Sequence, residues 1–171
     1  MLVTFERATA EDAVALVEVQ RLSFEEEAAR YGECPPYHET AADLIDLIAK
    51  AIVYKIVVDG ACAGDIIVRA RDDGSYYLRT VSVIPALQNL GIGSRAMAFL
   101  EAEFPDATAW HLITPAGSIR NRHFYEKHGY RPINEIHRSQ RLTLVEYEKI
   151  QVAAPGPEPG SPALPAPTKA R

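Results

Sequence analysis

The chain is poor in cysteine, has no long apolar run and carries no excess of positive charge. Its 171 residues hold only Cys34 and Cys62, too few for a disulfide framework and without the spacing of a zinc site. Reduced thiols and no metal are therefore expected. No stretch reaches the ~18 apolar residues that a membrane helix needs. The N-terminal segment is charged by Glu6, unlike the apolar core of a secretory leader. A net charge of −5 argues against a nucleic-acid surface. The expectation is a cytoplasmic protein with neither nucleic-acid nor membrane partners.

What is present is enough apolar residue, 47%, for one full core. Composition breaks near Ala153. Pro155, Pro157, Pro159, Pro162, Pro165 and Pro167 follow, interleaved with Gly, Ala and Ser. Such a stretch cannot bury a core, so residues 153–171 read as a disordered tail and residues 1–152 as the folded domain. The tail has Glu158 against Lys169 and Arg171, which leaves the domain at −6.

Within the domain the pattern alternates. Leu2 to Arg7 reads as a strand, and Thr9-Ala-Glu-Asp12 as a capping-box helix start. Ala13, Leu16, Val17 and Phe24 then share a helical face. Glu25 to Glu39 reads as a long polar loop, and Thr40-x-x-Asp43 opens a second helix with Ala41, Leu44, Ile45 and Ile48 inward. Strands follow at Ile52 to Val58, Cys62 to Arg71 and Tyr76 to Ile84, joined by Asp59-Gly60 and Asp72-Asp-Gly74. A helix from Gly91 to Phe104, a strand from Thr108 to Thr114, a helix from Ile119 to His128 and strands Tyr130 to Ile136 and Leu142 to Val152 complete the order βααβββαβαββ. That order implies an α/β mixed sheet with helices on both faces.

Val81 to Ala96 contains the densest signal. A strand leads through Pro85 into Gln88-Asn-Leu-Gly-Ile-Gly-Ser94 and then a helix. Glycines permit close main-chain approach, and the unpaired amides of a helix start attract an anion such as a diphosphate. Gly91-x-Gly93-x-x-Ala96 also matches a dinucleotide fingerprint. Six residues separate it from its strand, however, and antiparallel hairpins precede it, against a doubly wound fold.

A second motif, Asn121-Arg-His-Phe-Tyr-Glu-Lys-His-Gly-Tyr130, lies about one strand downstream. Asn121, Phe124, Tyr125 and His128 would share a helix face, and by composition alone the two aromatics could be core. Together, Gln88-x-x-Gly91-x-Gly93 and Asn121-x-x-Phe-Tyr-x-Lys-x-Gly-Tyr130 resemble the two signature segments of the GNAT superfamily of acyl-CoA-dependent N-acyltransferases. The element order resembles that fold over residues 2–152.

The resemblance implies a mostly antiparallel sheet in which Tyr76–Ile84 is bulged and splays from Thr108–Thr114. It implies acetyl-CoA (coenzyme A) as cofactor. Val81 and Val83 would meet the pantetheine arm, with the Val83 N–H as oxyanion donor. Gln88, Asn89, Leu90, Gly91, Ile92, Gly93 and Ser94 would hold the diphosphate. Asn121 and Phe124 would add cofactor contacts, and Tyr125 would be the general acid near the sulfur. Some relatives use a glutamate on the strand before the turn as the base. Here Ser75-Tyr-Tyr-Leu-Arg-Thr80 has no carboxylate, which leaves Tyr77, His111, Glu26 or a water chain as base.

Glu25, Glu26, Glu27, Glu33, Tyr31, Tyr37 and His38 give an acidic, aromatic segment suited to a cationic small-molecule amine. Glu26, Tyr31 and Tyr77 are its candidate contacts. A peptide amine, a non-catalytic acyl-CoA sensor and a homodimer are alternatives that the residues leave open.

Overall fold

The computed structural model describes residues 1–152. The expected tail lies outside the described residues. The elements are β1 (Val3–Arg7), α1 (Ala13–Tyr31), α2 (Pro35–His38), α3 (Ala41–Lys50), β2 (Ile52–Val58), β3 (Ala61–Ala70) and β4 (Tyr76–Val83), then α4 (Ile92–Glu103), β5 (Ala109–Pro115), α5 (Ile119–Lys127), β6 (Arg131–Ser139) and β7 (Leu142–Ile150). The expected order is present, with one short extra helix.

All seven strands form one sheet in the order β1-β2-β3-β4-β5-β7-β6. Neighbours are antiparallel except β4 and β5, which are parallel. Helices cover both faces. Leu16 of α1 and Leu44 of α3 pack on Val53 and Ile67. On the other side Ile92, Ala96, Met97 and Leu100 of α4 pack on Ile56, Ile66, Val68 and Leu78, with Phe124 and Tyr125 of α5 against the same cluster. The burial of these side chains, at about 25 cal/mol per Å² of apolar surface, dominates the stability.

The expected loop from Glu25 to Glu39 is largely helix, because α1 continues to Tyr31. Glu25-Glu-Glu-Ala-Ala-Arg30 are all strong helix formers, so the helix persists where its apolar stripe stops. Glu26 and Arg30 add an i,i+4 ion pair at 2.9 Å. Gly32, at φ 78°, ends the helix. Two residues expected inward also differ. Ile45 is 46% exposed, and Phe24 is half-buried on the wall of a cleft.

Candidate active site

The cleft originates in β4. Between Val68↔Leu78 and Ile67↔Thr80 the β3–β4 register slips by one residue, leaving Arg79 as a bulge. On its other side β4 pairs with β5 only at Tyr76↔Trp110 and Tyr77↔His111. Beyond Tyr77 the two strands part, and the C-terminal half of β4 keeps a free edge. The Ile84 N–H donates to Ala63 O on β3 at 2.9 Å. A peptide plane points its N–H and C=O in opposite directions, so the Val83 carbonyl faces the gap. There it accepts from Gln88 Nε2 at 2.8 Å. In an extended strand the N–H of a residue points with its own carbonyl, which turns the Val83 N–H, and that of Val81 by the two-residue period, into the same gap.

The gap ends at the start of α4. Asn89 (φ 63°) and Gly91 (φ 79°) both take left-handed backbone, and a Cβ on Gly91 would meet nothing within 4 Å. The first amide bonded into the α4 ladder is that of Arg95, to Gly91 O at 3.1 Å. Those of Ile92, Gly93 and Ser94 precede it and lack helical acceptors. Gly93 matters for a different reason: a Cβ there would stand 3.2 Å from the Phe124 ring, so the ring would have to shift by a few tenths of an ångström for α4 and α5 to pack this closely. Arg120, in the first turn of α5, donates to Gln88 Oε1 at 2.6 Å and to Asn89 Oδ1 at 3.3 Å. The turn therefore has a guanidinium above it as well as free amides.

These parts line one open cleft of about 1070 Å³. Val81, Val83, Gln88, Asn89, Gly91, Ile92, Gly93, Ser94, Asn121, Phe124, Tyr125, Glu26, Tyr31 and Tyr77 all border it. Leu90 does not: it is 51% exposed and outside the lining. The Ile92 side chain is 1% exposed in the core, so only its backbone is available to a ligand. Asn121 donates through Nδ2 to Glu27 Oε1 at 2.9 Å. In this structure it holds α1, and Arg120 stands at the turn.

Burial pushes the Tyr125 phenol well above its ordinary range, and the charge of Glu27 pushes it further. Tyr125 thus holds its proton at neutral pH. Burial likewise raises the Glu27 carboxyl, opposed by the Asn121 hydrogen bond. Of the suggested bases, Glu26 is 84% exposed and tied to Arg30. Burial raises the Tyr77 phenol, making it a poor base. His111 is outside the lining, with Nε2 3.8 Å from Glu148 and Nδ1 buried without a partner among the described residues.

Beneath the free edge is a buried polar group that the sequence reading missed. Ser82 Oγ donates to Asp65 Oδ1 and accepts from the Asp65 N–H at 3.1 Å, while Gln20 Nε2 donates to Asp65 Oδ2 at 2.6 Å. This ties α1, β3 and β4 together one residue from Val83. Arg79, the bulge, is ion-paired with Glu39, both largely buried.

Residues 49–132 match the model of the acetyltransferase (GNAT) domain. YrkN, an uncharacterized protein of Bacillus subtilis (strain 168), is 36% identical over 76 residues, 44% of this chain and 41% of that protein. The match thus spans about two fifths of the curated relative's length. The PaiA N-acetyltransferase of Thermoplasma acidophilum, solved with coenzyme A, has a similar fold (TM-score 0.73, 17% identity, 88% of this chain and 99% of that one). So do the ribosomal-protein-S18-alanine N-acetyltransferase of Escherichia coli (TM-score 0.68, 14% identity, 94% and 99%) and Ard1 of Thermoplasma volcanium (TM-score 0.72, 16% identity, 89% and 99%). At these identities the likeness is one of fold. The segment matched by the family model runs from the end of α3 into β6 and so contains β4, the glycine turn and α5 entire, and it is this part of the chain that is similar to the GNAT acetyltransferase domain.

Proposed function

We propose that the protein is an N-acetyltransferase that moves the acetyl group of acetyl-CoA directly to a primary amine of a small cationic molecule, in a ternary complex. The observation that carries this reading is the parting of β4 from β5, with the Val83 N–H turned into the opening and free amides at its end. A coenzyme A molecule needs an anion site and an extended backbone edge in line with it. The amides of Ile92 to Ser94 and the Arg120 guanidinium supply the first, and the edge of β4 from Val81 to Val83 supplies the second.

The side chains divide the remaining work. Gly91 and Gly93 keep Cβ atoms off the turn, and Gln88 fixes its approach to Val83. The Val83 N–H receives the charge that grows on the thioester oxygen, a contribution of about 3 kcal/mol for one such donor. Tyr125 gives its phenolic proton to the departing sulfur. Burial keeps that proton on the phenol at physiological pH, so the donor form is the one present. Tyr31 and Tyr77 on the acceptor side, with carboxylates of α1, favour a cation.

The test is release of free thiol from acetyl-CoA by the full chain across a panel of small primary amines. Amine-dependent release with an acetylated product is the expected result. Release with peptide N-termini alone would replace the small-molecule acceptor, and no release with any amine would overturn the catalytic reading.

A further inference from the structure

Resting on that reading, we propose that Glu27 is the general base that takes the acceptor's proton, at a polar stripe which α1 turns into the cleft. Ser23, Glu27 and Tyr31 recur every four residues on α1 and all border the cleft. Two of the three have no partner of their own. Ser23 Oγ and Tyr31 Oη are buried without a hydrogen bond among the described residues, and Tyr31 is only 8% exposed. Buried hydroxyls are rarely left so unless something else satisfies them. An incoming amine and its neighbouring polar groups would do so.

Glu27 is set apart from the other carboxylates of the cleft by its surroundings. Glu26 points to solvent and pairs with Arg30, and Glu33 is exposed. Glu27 is half-buried, and one of its oxygens is fixed by Asn121 at 2.9 Å. That bond joins residues 94 apart in sequence and connects helices on opposite faces of the sheet. Asn121 is four residues before Tyr125 on α5, so the contact brings Glu27 to the same end of the cleft as the proposed acid. The field of Glu27 on the Tyr125 phenol is the electrostatic sign of that proximity.

The groups facing Glu27 set its protonation. Burial and the neighbouring Glu26 raise its carboxyl, while Asn121 and Arg30 lower it. The nearby Cys34 thiol is pushed up to about 11, by burial first and by the charge of Glu27 among others, so it stays protonated and does not compete.

The protons balance. The acceptor ammonium loses one proton to Glu27, and its lone pair forms the C–N bond as the C–S bond breaks. Tyr125 protonates the sulfur and recovers a proton as the nitrogen loses its second. Glu27 returns its proton to solvent, so each turnover yields amide, free thiol and one proton.

The test compares wild type, Glu27→Gln and Asn121→Ala, using an amine from the panel and following kcat/KM against pH with acetyl-CoA affinity measured separately. Glu27→Gln is expected to keep acetyl-CoA affinity within about twofold and to lose about 100-fold in kcat/KM at neutral pH. Its activity should climb only as pH approaches the amine's own pKa. Asn121→Ala removes the bond that lowers the Glu27 carboxyl, so the acidic limb should move to higher pH, which a merely structural role would not produce. A Glu27→Gln enzyme with the wild-type rate and acidic limb, or an Asn121→Ala limb that does not move, would overturn this inference while leaving the acetyltransferase reading intact. Wild type inactive on every amine would overturn both.

Discussion

Replacing Asp65 by asparagine removes one buried charge beneath the free edge of β4 and changes little in shape. The residue is fully buried. Burial, opposed by hydrogen bonds from Ser82 and Gln20, raises its carboxyl from 3.8 to about 6. Below pH 3.8 both folded and unfolded chains hold the proton. Between 3.8 and about 6 the unfolded chain releases it while the folded one keeps it, so stability falls as pH rises, and above about 6 the loss is complete. That interval of about 2.2 pH units, at about 1.4 kcal/mol each, amounts to about 3 kcal/mol. Asparagine is a neutral stand-in for the protonated acid. Its oxygen can accept from Ser82, and its amide can donate to Gln20 Oε1, which has no partner among the described residues and comes within reach if the Gln20 amide turns over. Asp65→Asn should therefore be the more stable protein at pH 7 and should lose this part of the pH dependence. At about 2–4 °C per kcal/mol, the gap between the two melting curves should change by about 5–10 °C from pH 4 to pH 7.5. Parallel pH profiles for the two proteins would refute the reasoning.

Other substitutions probe single contacts. A Cβ at Gly64 would stand 2.1 Å from Ser82 O, a backbone atom, so Gly64→Ala should displace β4 and cost about 3 kcal/mol or more in denaturant unfolding. Arg120→Ala should weaken coenzyme A binding about tenfold in calorimetry, and less at high salt, by removing the cation above the turn. Tyr125→Phe should lower kcat about 100-fold while leaving coenzyme A affinity nearly unchanged, because the ring still packs and only the proton donor is gone.

Much of this fold was legible because its elements announce themselves locally. Asp59-Gly60 turns a hairpin, Thr40 and Asp43 form a capping box, and Gly129 at φ 87° follows α5. The paired motifs of the turn and α5 likewise led to the cleft, and the bulge and parting of β4 are those that the family resemblance implies. The failures are of another kind. A run of glutamates with no apolar partner hides the end of α1, and with it the four-residue recurrence that turns Glu27 rather than Glu26 inward. Asp65 sits in the apolar run Ala61 to Val68, and its partners are 17 and 45 residues away, so only the tertiary structure brings them together. Arg120 precedes the motif used to find the site, and its role depends on α5 reaching the turn, which Gly93 permits.

A crystal structure of the protein grown with saturating coenzyme A measures most directly where the cofactor is held. The predicted result is the pantetheine arm bonded to the β4 edge at Val81 and Val83, with the diphosphate on the amides of Ile92 to Ser94 and beside Arg120. An empty cleft at saturating ligand, or coenzyme A bound elsewhere on the protein, would contradict it.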